Sequence, residues 1–416
     1  MALNGIVGSG IFGLPALLAG LLGGRSPVAV VVGGAGAAVI IACHAEVAAR
    51  FSASGGTYLY LRTAFGRLAG LTTAWLMLLS RLTACAGSVN LLMSYLAELW
   101  PAAERPATHV LLITAGLAAL ALVNIAGVLM GAWFGNVAVV AKLGALALVI
   151  VAAVPWVWHH GMLGTLATHA GVGNWLDAML LLLFAYGGFE TALNPLGEAR
   201  DPRRDAPFAL FVALLVVVVL YSSLQFVVVG VLPAAALSTR PLADAARVMM
   251  GSAGATLVVV GAIVSISGFL SANLLAMPRL MYALAARGDF PSVFARMGRS
   301  RGTPWVSIAV FATGVWGCAL AAGFSRNVTL SAIARLVYYA ALCAAVPVLR
   351  RREAGSAGWR IPFGPLVPGL GMLICFALAM RAGAGDSLIL ICTVSIALLN
   401  WALVRHRPAS SAECQR

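Results

Sequence analysis

One lysine lies in the middle of a long apolar run. The chain has 26 arginines but a single lysine, Lys142, and this residue falls within FGNVAVVAKLGALALVIVAAV, a run long enough to cross a bilayer. An ammonium group at membrane depth costs free energy, and such groups usually face a partner or a water-filled path. Two interpretations are open: a structural charge satisfied by backbone carbonyls, or a charge that takes part in a transport mechanism.

The first apolar run contains residues that break helices. Within eleven residues of MALNGIVGSGIFGLPALLAGLLGG lie Gly5, Gly8, Gly10, Gly13 and Pro15. Glycine costs about 1 kcal/mol per helical site, and proline cannot donate a backbone hydrogen bond. A helix is therefore weakest around Gly8-Ser9-Gly10. Unwound backbone at membrane depth persists where it lines a cavity or is buried in protein. Its amides suit a carboxylate and its carbonyls suit an ammonium, although close packing of small residues is the alternative.

A second run has the same kind of interruption. In LLLLFAYGGFETALNPLGEA, the pair Gly187-Gly188 lies between aromatic residues and is followed by Glu190 and then by Asn194-Pro195. Two Gly/Pro-interrupted spans at matching places in two halves are typical of inverted-repeat transporters, whose site lies at the bilayer midplane. The pairing of the two breaks favours the binding-site interpretation over simple helix packing.

The elements that must hold these residues are membrane helices. Hydrophobic residues make up 62% of the chain, charged residues 10%, and the mean hydropathy is +0.98, which excludes a soluble domain of this length. A membrane helix needs about 20 mostly apolar residues. Twelve runs satisfy this: 2–22, 28–49, 69–97, 109–129, 132–157, 175–197, 208–232, 253–278, 304–324, 328–349, 363–381 and 386–404.

The net charge of +14 is unevenly distributed along the chain. With the N-terminus in the cytoplasm, eighteen arginines, Arg296 among them, fall in cytoplasmic loops and the tail, while Arg81 and Lys142 lie within spans. The opposite side holds Arg25, Arg105, Arg240, Arg247, Arg326, Arg335 and Arg381. This positive-inside bias predicts that both termini are cytoplasmic. The basicity therefore indicates topology and not a nucleic-acid partner.

Cysteine spacing predicts neither a cofactor nor a metal. Seven cysteines are scattered without CxxC or Cys/His ligand spacing, so no disulfide framework or metal site is expected. The first apolar run is rich in glycine and lacks a basic leader, so no cleavable signal peptide is expected either.

Five segments in order carry a family resemblance. They are NGIVGSGIFGLPA; AEVAARFSASGGTYLYLRTAFG; FAYGGFE with GEARDPRRDAP; RLMYALAARGDFPSVFAR with GTPW; and VLRRRE with WRIPFGPLVPGLG. With twelve apolar runs, the chain resembles the amino acid–polyamine–organocation transporter superfamily. The resemblance implies an all-α polytopic membrane protein of the leucine-transporter fold with broken spans 1 and 6. One domain, 1–404, would comprise inverted repeats at about 2–157 and 175–349 and appended helices at 363–404, followed by a cytoplasmic tail, 405–416.

The resemblance also implies a substrate site. The amides of Gly8, Ser9 and Gly10 match the family's cradle for the substrate carboxylate, and a helix N-terminus there would add about half a positive charge. Implied acceptors for the α-ammonium are the carbonyls of Ile6, Ala185 and Gly187. Phe184 matches the aromatic lid, with a packing aromatic as the alternative. Glu190 matches a common acidic position and is expected to stabilise the break or take a proton.

Lys142 matches a lysine that many family members carry in span 5. There the ammonium occupies the place where sodium-driven relatives bind sodium and braces span 1 against span 8. Ser267 and Ser271, four residues apart in span 8, are candidates to face it, although hydrogen bonding to their own helix is the alternative. The resemblance thus implies transport that does not require sodium.

Arg81, near the centre of span 3, matches no recognised family position. Three partners are open for it: Glu190, Glu46 or an acidic substrate. Pairing with one of the two glutamates is the favoured interpretation.

The sequence as a whole predicts a secondary amino acid transporter of the inner membrane that works by alternating access. Proton symport and exchange are both open. The expected partners are a small-molecule substrate, an amino acid, and membrane lipid, with protons as a further partner in the symport alternative. The side-chain pocket is expected to include Tyr338 or Tyr339. No extra acidic side chain is placed there for a cationic substrate, so neutral amino acids are expected.

Two other classes of function are weighed. A sensor on a transporter scaffold is one, although the tail after Val404 has only twelve residues. An intramembrane enzyme is the other, and it is disfavoured because His44 and Glu46, two residues apart, lie on different helix faces. His159-His160 lacks partner carboxylates.

Overall fold

The chain is helical throughout the part that the structure describes. The computed structural model describes residues 6–51, 56–126, 132–162, 170–190, 202–298, 302–352 and 359–405, and these ranges contain helices and turns without a strand. The helices are α1 (Gly10–Leu22), α2 (Ser26–Ala48), α3 (Gly56–Phe65), α4 (Arg67–Leu99), α5 (Pro106–Ile125), α6 (Ala132–His160), α7 (Val172–Tyr186), α8 (Pro202–Val231), α9 (Pro241–Ala286), α10 (Trp305–Ala321), α11 (Phe324–Arg352), α12 (Leu366–Ala379) and α13 (Ala384–Val404).

Most of these helices are long and apolar enough to cross a membrane. Within the described ranges, eight helical stretches qualify by length and composition: Gly10–Ala48, Arg67–Leu99, Pro106–Ile125, Lys142–His160, Pro207–Val231, Pro241–Ala286, Phe324–Arg352 and Ala384–Val404. In the first of them α1 and α2 meet at a short turn, Gly23–Arg25. The helices α7, α10 and α12 are apolar but shorter. The expected all-α polytopic class agrees with this architecture, whereas twelve spans and the leucine-transporter fold stay predictions.

Both expected helix breaks are present. Val7, Gly8 and Ser9 are bent and non-helical, and α1 begins at Gly10. At the other break α7 ends at Tyr186, Gly187 is extended, and Gly188 has a φ of +104°, a conformation that glycine adopts without steric cost. Asn194 and Pro195 lie outside the described residues. Local backbone chemistry thus starts α1 and ends α7 where the sequence predicts the two breaks.

The two breaks lie against each other in the helix packing. The helices α1 and α7 pack together, and a Cβ added to Gly10 would lie 3.5 Å from the Cα of Ala185. This close approach requires small residues, because a larger side chain would separate the two helices. The backbones of the two interrupted segments therefore form neighbouring walls of one region.

Two long helices, α4 and α11, form the centre of the bundle. They pack along each other and are joined by hydrogen bonds between buried Ser80 and Ser331, including Ser331 Oγ to the Ser80 carbonyl at 2.8 Å. Beside them, α9 packs against both α6 and α1 and bends at Gly251, which has a φ of +70°. The breaks are consequently surrounded by α4, α9 and α11.

Glu46, a candidate partner of Arg81, instead forms ion pairs with two other arginines. Arg350 donates a hydrogen bond to each oxygen of its carboxylate, both at 2.6 Å. The carboxylate also accepts from Arg50 at 3.0 Å and from the amide of Ile361. Glu46 lies in the last turn of α2 and Arg350 in the last turn of α11. This ion cluster holds together the arginine-rich end of the bundle.

Asp289 anchors a second cluster at the C-terminal end of α9. It accepts hydrogen bonds from Arg62 at 3.0 Å and Arg67 at 2.7 Å, and from the hydroxyl of Tyr58. Burial, and next the hydrogen bond to Asp289, raise the pKa of Tyr58 to about 12. The cluster fixes the short helix α3 and the start of α4 to α9.

Candidate substrate site

The break in α1 presents backbone carbonyls to side chains from two other helices. The carbonyl of Ile6 accepts a hydrogen bond from the hydroxyl of Tyr221 at 3.3 Å, and that of Val7 accepts one from Lys142 Nζ at 2.5 Å. The amide of Gly8 donates to the Ile6 carbonyl at 2.8 Å. The Gly8 amide is predicted to bind the substrate carboxylate, and the Ile6 carbonyl is predicted to bind the substrate ammonium. In this conformation, these two groups therefore bond to each other.

Ser9 joins the break to the central helix α4. Its hydroxyl is hydrogen-bonded to that of Ser88 at 2.6 Å, and its carbonyl accepts from the amide of Phe12 at 3.1 Å at the start of α1. Ser9 is 1% exposed, so the hydroxyl pair is shielded from water. The contact connects the bent segment to α4 without using the Ser9 amide.

A small cavity lies between the two breaks. Its lining contains Ile6, Gly8, Ser9, Gly10, Arg81, Phe184, Ala185, Gly187, Phe269 and Arg335. Seven of the eight predicted substrate-binding residues thus line one cavity, and the eighth, Glu190, contacts Arg81 of this lining. The structure brings these residues together; their role in binding stays a prediction.

Glu190 holds the break in α7 and pairs with Arg81. Its Oε1 accepts a hydrogen bond from Arg81 Nη2 at 2.9 Å, and its Oε2 accepts from the amide of Gly188 at 2.9 Å and the hydroxyl of Tyr339 at 3.1 Å. Both ions are buried. Of the two glutamates considered for Arg81, the structure therefore selects Glu190, because Glu46 bonds to arginines elsewhere.

Arg335 is a cavity residue that the sequence reasoning misassigned. The sequence prediction assigns it to the outer side of the membrane, but the side chain is 2% exposed and lines the cavity. Since α11 begins at Phe324, Arg335 lies about 16 Å along this helix. That prediction is wrong because position 335 lies inside the apolar run 328–349 and not in the loop before it. This position in the run was the signal that could have identified it.

The guanidinium of Arg335 is hydrogen-bonded on one side and lacks a described hydrogen-bond partner on the other. Its Nε donates to Ser80 Oγ at 3.0 Å, and its Cζ lies 5.4 Å from the centre of the Phe184 ring, a cation–π distance. Among the described residues Nη1 has no hydrogen-bond partner. A Cβ on Gly187 would lie 1.5 Å from Nη1, so a side chain at position 187 would displace the guanidinium.

Lys142 reaches the α1 break as the sequence predicts. It is 4% exposed, and its ammonium contacts the Val7 carbonyl from α6. Ser267 and Ser271 are half-buried on α9, the helix that packs against both α6 and α1. Tyr338 is buried beside Tyr339, with ring centres 4.9 Å apart. The lysine thus links α6 to the break, and the part played by the two serines stays a prediction.

The residues considered for an intramembrane enzyme have separate surroundings. The His44 ring packs edge-on against Phe189 and Tyr339, with centres 4.8 and 4.9 Å away, whereas Glu46 bonds to Arg50 and Arg350. The expectation that His44 and Glu46 face different ways is confirmed. Within the described ranges, no three His, Cys, Asp or Glu side chains form a group that could hold a metal ion.

Comparison with known proteins gives matches along nearly the whole chain. A family model described as amino acid permease matches residues 1–400. Three similar proteins come from Bacillus subtilis (strain 168). A methylthioribose transporter is 28% identical, covering 89% of this chain and 84% of the relative. The serine/threonine exchanger SteT is 27% identical, covering 88% and 85%. The branched-chain amino acid permease BcaP is 24% identical, covering 92% and 86%.

Proposed function

Because the chain belongs to the amino acid permease family, whose matched relatives are membrane transporters and not enzymes, we propose that it is a secondary transporter that moves an amino acid by alternating access. The observation that carries this proposal is the cavity between the α1 and α7 breaks. Two interrupted helices that meet at a cavity supply backbone donors and acceptors that continuous helices lack.

The zwitterionic part of the substrate would bind to the breaks. The amides at Ser9 and Gly10 would receive the carboxylate, and the carbonyls of Ile6, Ala185 and Gly187 would receive the ammonium. Gly8 donates to the Ile6 carbonyl in the present conformation, so a substrate would replace this internal bond with two bonds of its own. Phe184 would close over the substrate, a role that its place in the cavity lining supports.

Lys142 would replace the sodium ion of a sodium-driven transporter. Its ammonium supplies one fixed positive charge at the Val7 carbonyl, within a segment that must change shape during transport. A fixed cation removes the need for a bound one, so transport should be independent of sodium. Proton symport and substrate exchange are both compatible with this arrangement. The proposed location is the inner membrane with both termini in the cytoplasm.

The side chain of the substrate is constrained by the charges in the lining. Within the described part of the cavity lining, the charged residues are Arg81 and Arg335, which disfavours a cationic substrate. The sequence reasoning favours neutral amino acids, and two matched relatives are named for serine/threonine and branched-chain amino acids. The buried guanidinium of Arg335 in the cavity bears on the choice between neutral and acidic side chains.

Uptake by the purified protein in liposomes tests the proposal. A panel of labelled amino acids, each with and without a pH gradient and with sodium or choline, should show uptake of at least one amino acid above protein-free liposomes. Preloading with unlabelled substrate separates exchange from symport. Saturable binding without any uptake or exchange would instead favour the sensor interpretation, and the absence of both would contradict the site.

A further inference from the structure

The cavity has an excess of positive charge in its own walls. Arg81 and Arg335 are both buried there, and among the described residues the carboxylate that forms a hydrogen bond with either of them is Glu190, which accepts from Arg81. Glu190 is also held by the Gly188 amide and the Tyr339 hydroxyl, so its oxygens are committed. In the described part of the chain, two guanidinium groups therefore share one carboxylate, which hydrogen-bonds to Arg81 and attracts Arg335 without a hydrogen bond, so a net positive charge remains.

Arg335 is the arginine whose guanidinium keeps an unpaired donor within the described ranges. Ser80 and the Phe184 ring hold it from one side, but neither carries a negative charge. Its Nη1 has no hydrogen-bond partner among the described residues and lies beside Gly187, at the break in α7. A buried donor on a charged group normally has an acceptor, and a carboxylate matches the guanidinium fork best. The missing acceptor is thus expected to come with the substrate.

The zwitterionic part of an amino acid does not supply that acceptor. If the proposed function is correct, the α-carboxylate uses the amides of the α1 break and the α-ammonium uses carbonyls, so these two charges cancel. A net positive charge from Arg335 remains. A neutral side chain would leave this charge buried and unpaired, whereas an acidic side chain would neutralise it.

We propose that the preferred substrate is an amino acid with a carboxylate in its side chain, and that Arg335 binds this carboxylate. The inference rests on the proposed function and replaces the expectation of neutral substrates with acidic ones. Gly187 contributes by lacking a side chain, because a Cβ there would occupy the position of Nη1. Phe184 would then contact both the guanidinium and the substrate.

Matched pairs of substrates test the preference directly. Glutamate and glutamine, or aspartate and asparagine, have nearly the same size and differ in the charge of the side chain. In liposomes containing the unaltered protein, uptake of an acid should exceed that of its amide by about tenfold or more at equal concentration. Equal uptake, or preference for the amide, would overturn the inference. Uptake of other amino acids only would also overturn it while leaving the proposed function intact, and no uptake of any amino acid would contradict the proposed function itself.

Substitution of Arg335 tests whether this residue is the cause. Arg335→Gln should reduce acid uptake by about tenfold more than it reduces amide uptake, so the ratio of acid to amide uptake falls towards one. Arg335→Lys should keep part of the preference, since it keeps the charge without the planar fork. Arg326→Gln, an exposed arginine of the same helix, is the matched control and should change neither uptake.

Two results with these variants would contradict the role of Arg335. An unchanged ratio of acid to amide uptake in Arg335→Gln would show that another group recognises the charge of the substrate side chain. A loss of both uptakes by the same factor, with the Lys variant equally inactive, would mean that Arg335 holds the α-carboxylate or the fold. Stabilisation of the purified variants against heat by glutamate and by glutamine gives a second readout that does not require transport.

Discussion

At the scale of single residues, buried charges distinguish this cavity from its apolar surroundings. Lys142 contacts the Val7 carbonyl and Arg81 pairs with Glu190. Arg335 bonds to Ser80, while its Nη1 has no hydrogen-bond partner in the part of the chain that the structure describes. Each charge is nearly inaccessible to water. Charges at membrane depth are costly and usually functional, so each is expected to affect transport and not only folding.

Lys142 carries the prediction about coupling. Transport should persist when choline replaces sodium. Lys142→Ala should lower uptake by an order of magnitude or more, because the Val7 carbonyl and its neighbours would lose a buried donor, and each unpaired buried group costs about 1–3 kcal/mol. Lys142→Arg should rescue little, since a guanidinium is larger than an ammonium. Initial rates in liposomes measure all three effects.

The control for this lysine lies on the same helix. A Cβ added to Gly144 meets no atom within 4 Å, so Gly144→Ala should transport normally. A sodium requirement in the unaltered protein, or full activity of Lys142→Ala, would mean that the lysine is only structural.

Phe184 carries the prediction about closure of the site. Phe184→Ala should slow turnover, because it removes the ring that lines the cavity and faces the Arg335 guanidinium. Trp and Tyr should be tolerated better, since both keep an aromatic face. Turnover rate and apparent affinity for the substrate are the measurements, and Phe376→Ala, which alters an exposed ring on α12, is the control. Unchanged transport kinetics in Phe184→Ala would mean that Phe184 only packs against its neighbours and does not close the site.

At the scale of elements, the interrupted helices α1 and α7 create the site by their contact. The Gly8–Ser9–Gly10 segment supplies bent backbone, and Gly187 with Gly188 ends α7 at the same level. Because the two segments are closely packed, the site requires small residues on both sides. The helices α4 and α11 then add arginines from the opposite wall.

Gly10 tests the contact between the two breaks. An added Cβ would lie 3.3 Å from Leu14 and from the Phe184 ring and 3.5 Å from Ala185, so the larger side chain of Gly10→Val should force the breaks apart and abolish uptake. The variant should still reach the membrane in folded form, which gel filtration in detergent checks. Ser9→Ala should be milder, because its amide remains although the bond to Ser88 is lost.

Gly36→Val is the matched control for Gly10→Val. An added Cβ at Gly36 meets nothing within 4 Å, so the same change in side-chain volume should be harmless there. If Gly10→Val takes up substrate with unchanged affinity, the α1 break is not part of the substrate site.

At the scale of the whole molecule, the arginines and the ion clusters lie in a consistent order. The Glu46 and Asp289 clusters tie helix ends together at the arginine-rich side, and the Arg381–Asp177 pair, 2.8 Å apart, belongs to the opposite side in the predicted topology. Positive charge on one face orients a membrane protein during insertion. The fold and its orientation are therefore governed by different features: packing for the fold, and loop charge for the orientation.

Cysteine labelling tests the predicted orientation. In a variant without native cysteines, Arg105→Cys should react in intact cells with a thiol reagent that cannot cross the membrane, and Arg296→Cys should react only after the cells are opened. Both positions are exposed, so accessibility depends on the side of the membrane. The reverse pattern would place the termini outside.

The sequence by itself determined the features that arise from local chemistry. Glycine and proline weaken a helix wherever they occur, so the breaks at Gly8–Gly10 and Gly187–Gly188 and the burial of Lys142 could be predicted from neighbouring residues. The family could also be identified from segments in chain order, and the family model across residues 1–400 confirms it. None of these inferences required a contact between distant parts of the chain.

Only the tertiary structure decided which charges meet. Arg81 pairs with Glu190, 109 residues away, and not with Glu46, and Arg335 bonds to Ser80, 255 residues away. Such pairs depend on the depth and rotation at which two helices pack, and helical periodicity does not specify either for partners on separate helices. The sequence alone therefore assigns Arg335 to the outer side, whereas helix packing brings its guanidinium into the cavity between the breaks.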